Sequence, residues 1–206
     1  LAPLAKPAGP LPFVAAEVTK YSRWRRSGAE VFNSLERMVT DAVPPIGGII
    51  SLMIDNAGKT QNSAFDIRRQ LIGNIGDDII TIEKAPRGES IEDFQKAPAL
   101  YLLSSGRPDE LLDAIRTGLG GMSGSHGREE KINGQLVVSL PVMPMTLTPA
   151  PGQMAQPNVI YLTAARGYVG FSSDRAMIEE YLRGGPVKEK ALPGVNGLAG
   201  AAAKIG

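Results

Sequence analysis

Two short segments constrain the fold of this chain more than any bulk property does. Residues 128–133 and 135–141 flank Asn133-Gly134, and the runs VIYLTAA (159–165) and YVGFSS (168–173) flank Arg166-Gly167. Asn-Gly between strand-like runs is a strong local hairpin signal, because both residues tolerate the positive φ that a tight two-residue turn requires. Two hairpins imply antiparallel pairing, and an antiparallel sheet needs cover on only one face. DIITIE (78–83) and ALYLLSS (99–105) add two aliphatic runs of strand length, and FVAAEVTKY (13–21) mixes β-branched and aromatic residues in the same way.

The other periodic segments have helical spacing. Ser27 followed by Glu30 fits a capping box. The helix it opens, about 28–42, places Val31, Leu35, Met38 and Ala42 on one side, to face the core. Pro44 and Pro45 break it. A second helix is expected over 46–57, with Ile49, Ile50 and Met53 inward and Gly58 as its cap. A short helix near 66–73 follows. PDELLDAIRTGL (108–119) carries proline at the first helical position and an apolar stripe of Leu111, Leu112, Ile115 and Leu119. SDRAMIEEYL (173–182) offers Met177, Ile178, Tyr181 and Leu182 for packing. The segment APRGESIEDFQKAP, between the strands 78–83 and 99–105, reads as a polar connection. GGMSGSHG (120–127) reads as a loop, and residues 143–157 as a Met- and Pro-rich excursion.

The expected fold is therefore α+β: an antiparallel β-sheet built from hairpins, with helices packed mainly on one face. Residues 1–12 read as an extended Pro/Ala-rich leader and 13–185 as the α+β domain, divisible into two subunits, 13–84 and 98–185. Residues 186–206 read as a Gly/Ala-rich tail continuing into a longer parent protein. With 206 residues, 43% of them apolar, the chain can bury a core without disulfides or metals.

Composition removes several chemistries. There is no cysteine, hence no thiol nucleophile, thiolate metal site or disulfide. One histidine, His126, cannot by itself make a multi-histidine zinc site. With 22 basic and 21 acidic residues the chain lacks the basic excess that a nucleic-acid partner favours. No run approaches the roughly 18 apolar residues of a membrane span, so the chain is expected not to cross one.

Five clusters remain, each with a structural reading beside the functional one. Asp77-Asp78 resembles half of a hard-cation site, but without a spaced acidic loop it reads as a polar turn before a strand. The glycine-rich run Gly118–Gly127 follows a helix rather than preceding one, so it lacks the setting of a phosphate loop. Ser123 and Ser125 stand beside His126, yet sequence neighbours in a loop do not make a triad, and the G-x-S-x-G spacing is missing. Met143, Met145 and Met154 suggest an adaptable apolar surface or a packed excursion. Lys20, Tyr21, Arg23, Trp24, Arg25 and Arg26 form the densest basic–aromatic cluster. Tyr, Trp and Arg favour interface anchors, so Tyr21, Arg23, Trp24, Arg25 and Arg26 stand as the candidate interaction patch. The structural alternative is a charged connection with Trp24 tucked onto the core.

The segments FDIRRQLIGNIGDDIITIEKAPRG, APALYLLSSGRPDELLDAIRTGL and NVIYLTAARGYVGFSSDRAMIEEYLRGG resemble a group of uncharacterised exported bacterial proteins, planctomycete- and verrucomicrobia-like. These are built from antiparallel sheet-and-helix units. The resemblance covers residues 13–183 and rests on LIGNIGDD before a strand, PDELL after a strand and YVGFSSD before a helix. It implies an exported location (periplasmic, envelope-associated or secreted) and a longer parent protein. It supplies no functional residues. The resulting expectation is a non-catalytic exported domain that contacts a protein partner or the remainder of its parent chain, with no cofactor, no metal and no catalytic residue assigned. The first alternative is a carrier of an apolar, lipid-like ligand in a cavity between sheet and helices. A Ser/carboxylate hydrolase ranks last.

Overall fold

In the computed structural model, residues 9–42, 52, 54–56, 59, 62–123, 127–142, 158–184 and 191–195 are described. The strands are β1 (Lys20–Arg25), β2 (Asp78–Glu83), β3 (Ala99–Ser104), β4 (Arg128–Ile132), β5 (Gln135–Val142), β6 (Asn158–Ala165) and β7 (Tyr168–Ser172). They form one antiparallel sheet in the order β1-β2-β3-β7-β6-β5-β4. The helices are α1 (Gly28–Ala42), α2 (Ile67–Gln70), α3 (Ile91–Gln95), α4 (Pro108–Ser123) and α5 (Arg175–Arg183), with 3-10 turns at Ile72–Asn74 and Leu192–Gly194. The fold is α+β, as the hairpin signals require. Both tight turns have positive φ at both central residues, 51° and 79° at Asn133-Gly134 and 53° and 79° at Arg166-Gly167.

Side chains alternate across each strand, and this alternation divides the core in two. On one face Ile80, Ile82, Leu100, Leu102 and Val137 pack against Met177, Ile178, Tyr181 and Leu182 of α5. Gly170 makes room there, since a Cβ would stand 3.1 Å from Leu102 Cδ2 and 3.3 Å from the Tyr181 ring. On the other face Val138, Leu140, Leu162, Ala164 and Val169 receive Leu111 and Leu112 of α4. The Ile72–Asn74 turn and α2 extend the α4 layer, and α1 joins it through that turn. The helices therefore lie mainly on the α4 face, and α5 covers the opposite one.

Four local expectations are corrected. The first strand is Lys20–Arg25 rather than 13–21, in register from Lys20 opposite Glu83 to Arg25 opposite Asp78. Phe13, Val14 and Val18 instead plug the α5-side core, and Ala15 pairs only with Ala191. On α1, Leu35 is 56% and Met38 66% exposed. The helix turns Phe32 and Glu36 toward Arg68, which makes two hydrogen bonds to the Glu36 carboxylate (2.6 and 2.8 Å) and lies 6.0 Å from the Phe32 ring. The expected polar connection contains α3, whose start Ser90 and Asp93 cap reciprocally. Finally, α4 continues to Ser123, through Gly120-Gly121. The helix expected over 46–57 lies mostly outside the described residues, as do residues 1–8, the Met-rich segment 143–157 and most of the tail.

Candidate functional site

β1 is an edge strand, and its alternation separates the residues of the basic–aromatic cluster. Tyr21 and Arg23 lie on the α5 side, paired with Ile82 and Ile80, while Trp24 pairs with Ile79 on the α4 side. Arg23 donates from Nε (2.9 Å) and Nη2 (2.6 Å) to the Asp78 carboxylate and from Nη1 to the Gly9 carbonyl (2.6 Å). The Tyr168 hydroxyl donates to the same carboxylate at 2.8 Å. Asp78 is only 7% exposed. Burial raises its pKa, but the hydrogen bonds from Arg23 and Tyr168 outweigh this and hold the carboxyl below its ordinary value. Burial, then the bond to Asp78, push Tyr168 up to about 12. The Tyr21 hydroxyl and Arg25 Nε are buried with no hydrogen-bond partner among the described residues. Asp78 and Arg23 are thus committed to one another, and Asp78 tethers β1, β2 and β7. No group of acidic or histidine residues among those described is arranged to hold a metal ion.

Trp24 is not tucked onto the core. It is 67% exposed, in a row that runs Trp24, Ile79, Leu103, Val169 across β1, β2, β3 and β7. The next row is Ser22, Thr81, Tyr101, Phe171. Tyr101 is 38% exposed and stacks on Phe171 with ring centroids 5.0 Å apart and planes 15° from parallel. α4 packs mainly on β5, β6 and β7. Among the described residues this leaves an exposed stretch of sheet face with Trp24 at its edge and an aromatic stack at its centre. The Lys20–Glu83 ion pair (2.8 Å) borders it at one end. Sequence reasoning singled out Trp24 but passed over Tyr101 and Phe171. The signal was available, because alternation in ALYLLS places Tyr101 opposite the buried Leu100 and Leu102.

A second concavity, of about 310 Å³, lies between α4 and the segment 62–74, over the buried Phe65. Its amides are engaged within the protein. Asn74 accepts from Arg107 (2.7 Å) and donates to the Gln70 carbonyl (2.8 Å), and Gln70 accepts from the Asp66 N–H (2.8 Å). Glu110 pairs with Arg107 at 2.9 Å. Thr117 is the hydroxyl side chain lining it, and no histidine does. The apolar space beneath α5 measures about 20 Å³, the room of roughly one water. Ser123 ends α4, while Ser125 and His126 lie outside the described residues. No described helix is long and apolar enough to cross a membrane. No family model matches the chain, and comparison with curated proteins and with solved structures found no match.

Proposed function

We propose that this chain is a non-catalytic domain that makes protein contacts through the open face of β1, β2 and β3. The observation that carries this reading is the exposure of Trp24 beside the Tyr101–Phe171 stack on a regular sheet surface. Trp and Tyr are the side chains most enriched among interface anchors, since each buries a large area with few rotamers to freeze. The charged edge supports the same reading. Lys20, exposed on β1, discourages indiscriminate strand addition, leaving the face rather than the edge as the contact. An exported setting belongs to this reading and is supported by the sequence resemblance alone.

The test is a photo-cross-linking residue at position 101, with position 175 on the opposite face as control, in cells that make the full-length protein. Discrete protein adducts at 101, absent at 175 and abolished by Trp24→Asp, are expected. Trp24→Asp itself is expected to change folding stability by no more than about 0.5 kcal/mol, as for other exposed positions. Equal adducts at both positions, or none at 101, would overturn the proposal.

A further inference from the structure

Residues 9–18 lie on the α5 side of the sheet, opposite the face proposed above, and outside the seven strands. Leu11, Phe13, Val14 and Val18 pack there on the core that α5 covers, and Val14 and Ala15 are 2% and 3% exposed. The segment is pinned at separate points. Arg23 donates to the Gly9 carbonyl. The Phe13 ring meets Tyr181 edge-on at 5.4 Å, and Arg166 lies 5.7 Å from the same ring. Glu17 stands 3.5 Å from Lys84, whose closer partner is Glu180 of α5 at 2.6 Å.

Midway along this strap, the Val14 carbonyl accepts from the Leu192 N–H at 2.6 Å, and Ala15 faces Ala191 in an isolated antiparallel bridge. Ala191 is 3% exposed, and Leu192 packs on the same core. Two segments far apart in sequence are thus each other's backbone partners. Loss of either leaves the other without its hydrogen bond, which is unfavourable in a water-poor setting. The packing beneath them is imperfect. A space of about 20 Å³ remains between the strap, Ile82, Leu100 and α5. On the same side of the sheet the Tyr21 hydroxyl is buried with no hydrogen-bond partner among the described residues. Water reaching that hydroxyl satisfies it, which favours release of the strap.

From these contacts we infer that residues 9–18 and 191–195 form a latch, which closes over the α5 side of the sheet as one unit and opens as one unit while the sheet stays folded. Proteins open locally in cooperative units whose free energies lie below that of global unfolding. Here the unit is defined by the Val14–Leu192 bond and the Ala15–Ala191 bridge, not by continuity of the chain. Opening uncovers Ile82, Leu100, Met177 and Tyr181, which line the space beneath the strap. Access to this apolar side is thereby controlled from residues 191–195, and any contact that captures them releases residues 9–18.

The chain has no cysteine, so single cysteines report opening by thiol labelling of the folded full chain. Ala15→Cys, Ala191→Cys and Val137→Cys each place a thiol at a site no more than 3% exposed. Equal opening equilibria are expected at 15 and 191, each at least about 10-fold more open than position 137, which reports global unfolding. Leu192→Asp combined with Ala15→Cys, and Phe13→Ala combined with Ala191→Cys, test the coupling in both directions. Each should raise labelling of the other segment by about 10-fold or more relative to position 137 in the same background. Residues 15 and 191 stand directly opposite, within reach of a disulfide. The oxidised double-cysteine chain should slow hydrogen exchange of residues 11–18 by about 10-fold or more against its reduced form. Unequal opening at 15 and 191, equal opening at all three positions, or a strap indifferent to Leu192→Asp would overturn the inference. Should Leu192→Asp or Phe13→Ala fail to fold, the three single-cysteine chains still decide it.

Discussion

Asp78 shows how a single buried carboxylate is made tolerable. Its oxygens accept from Arg23 on one neighbouring strand and from Tyr168 on a more distant one. Breaking such a pair from one side leaves a buried charge without compensation, so Asp78→Asn should cost about 3–5 kcal/mol in chemical denaturation. The double replacement Arg23→Met with Asp78→Leu should recover much of that loss, because neither charge then needs solvating. The pH dependence follows from the same contact. Asp78 titrates lower in the folded chain than in the unfolded one, where the ordinary value is about 3.9. Its contribution is complete above that value and is lost as the pH falls through the folded-state value. Tyr168, raised to about 12, acts at the other end. Its contribution holds below the ordinary tyrosine value of about 10 and fades as the pH rises through 12. Urea unfolding from pH 2 to 7 should show a stability drop below pH 4 that flattens in the double variant. The sequence identified Asp77-Asp78 as a turn entering a strand, which fits its place at the start of β2. It could not identify Arg23 as the partner, because register between strands so far apart in the chain is set by tertiary packing.

At the scale of the element, the turns and the helices were legible to different degrees. Asn133-Gly134 announced its hairpin through local chemistry alone. Gly134 has φ of 79° with open space where a Cβ would go, whereas at Gly127 a Cβ would stand 2.5 Å from Leu140 Cδ2 and 2.8 Å from the Ser139 carbonyl. Gly134→Ala should therefore cost about 1 kcal/mol from backbone strain alone, and Gly127→Ala clearly more, as read from the shift in denaturation midpoint. Arg166 is a less obvious turn residue. It adopts φ of 53° while its guanidinium donates to the Tyr181 and Leu182 carbonyls at the end of α5 and lies 5.3 Å from the Tyr181 ring. A cation at a helix C-terminus is favourable, and this offsets a conformation that arginine seldom adopts. α4 and α5 bury the stripes their spacing indicates. α1 does not, because a bidentate contact to Arg68 fixes the helix by its polar side, and periodicity counts apolar residues without weighing such a pair. The open aromatic face was half legible for a similar reason: Trp24 stood out by composition, but its exposure depends on where α4 ends.

For the molecule as a whole, the antiparallel class followed from two dipeptides, yet strand order did not. The sheet consists of two meanders, β1-β2-β3 and β4-β5-β6-β7, in which every strand pairs with its sequence neighbours. They meet only between β3 and β7, where Tyr101, Leu102, Leu103 and Ser104 face Phe171, Gly170, Val169 and Tyr168. That seam has a kinetic consequence. Each meander can assemble from contacts close in sequence, but the seam requires closing the chain over α4 and three intervening strands, and loop closure must precede any reward from the contacts it brings. The seam should therefore form in the rate-limiting step. Leu102→Ala and Val169→Ala should slow refolding nearly in proportion to their loss of stability, while Ile132→Ala on the outer edge should mainly hasten unfolding. A chevron for each variant reads this directly. The joint that makes one sheet of two meanders would then set how long the newly made chain leaves its apolar faces uncovered.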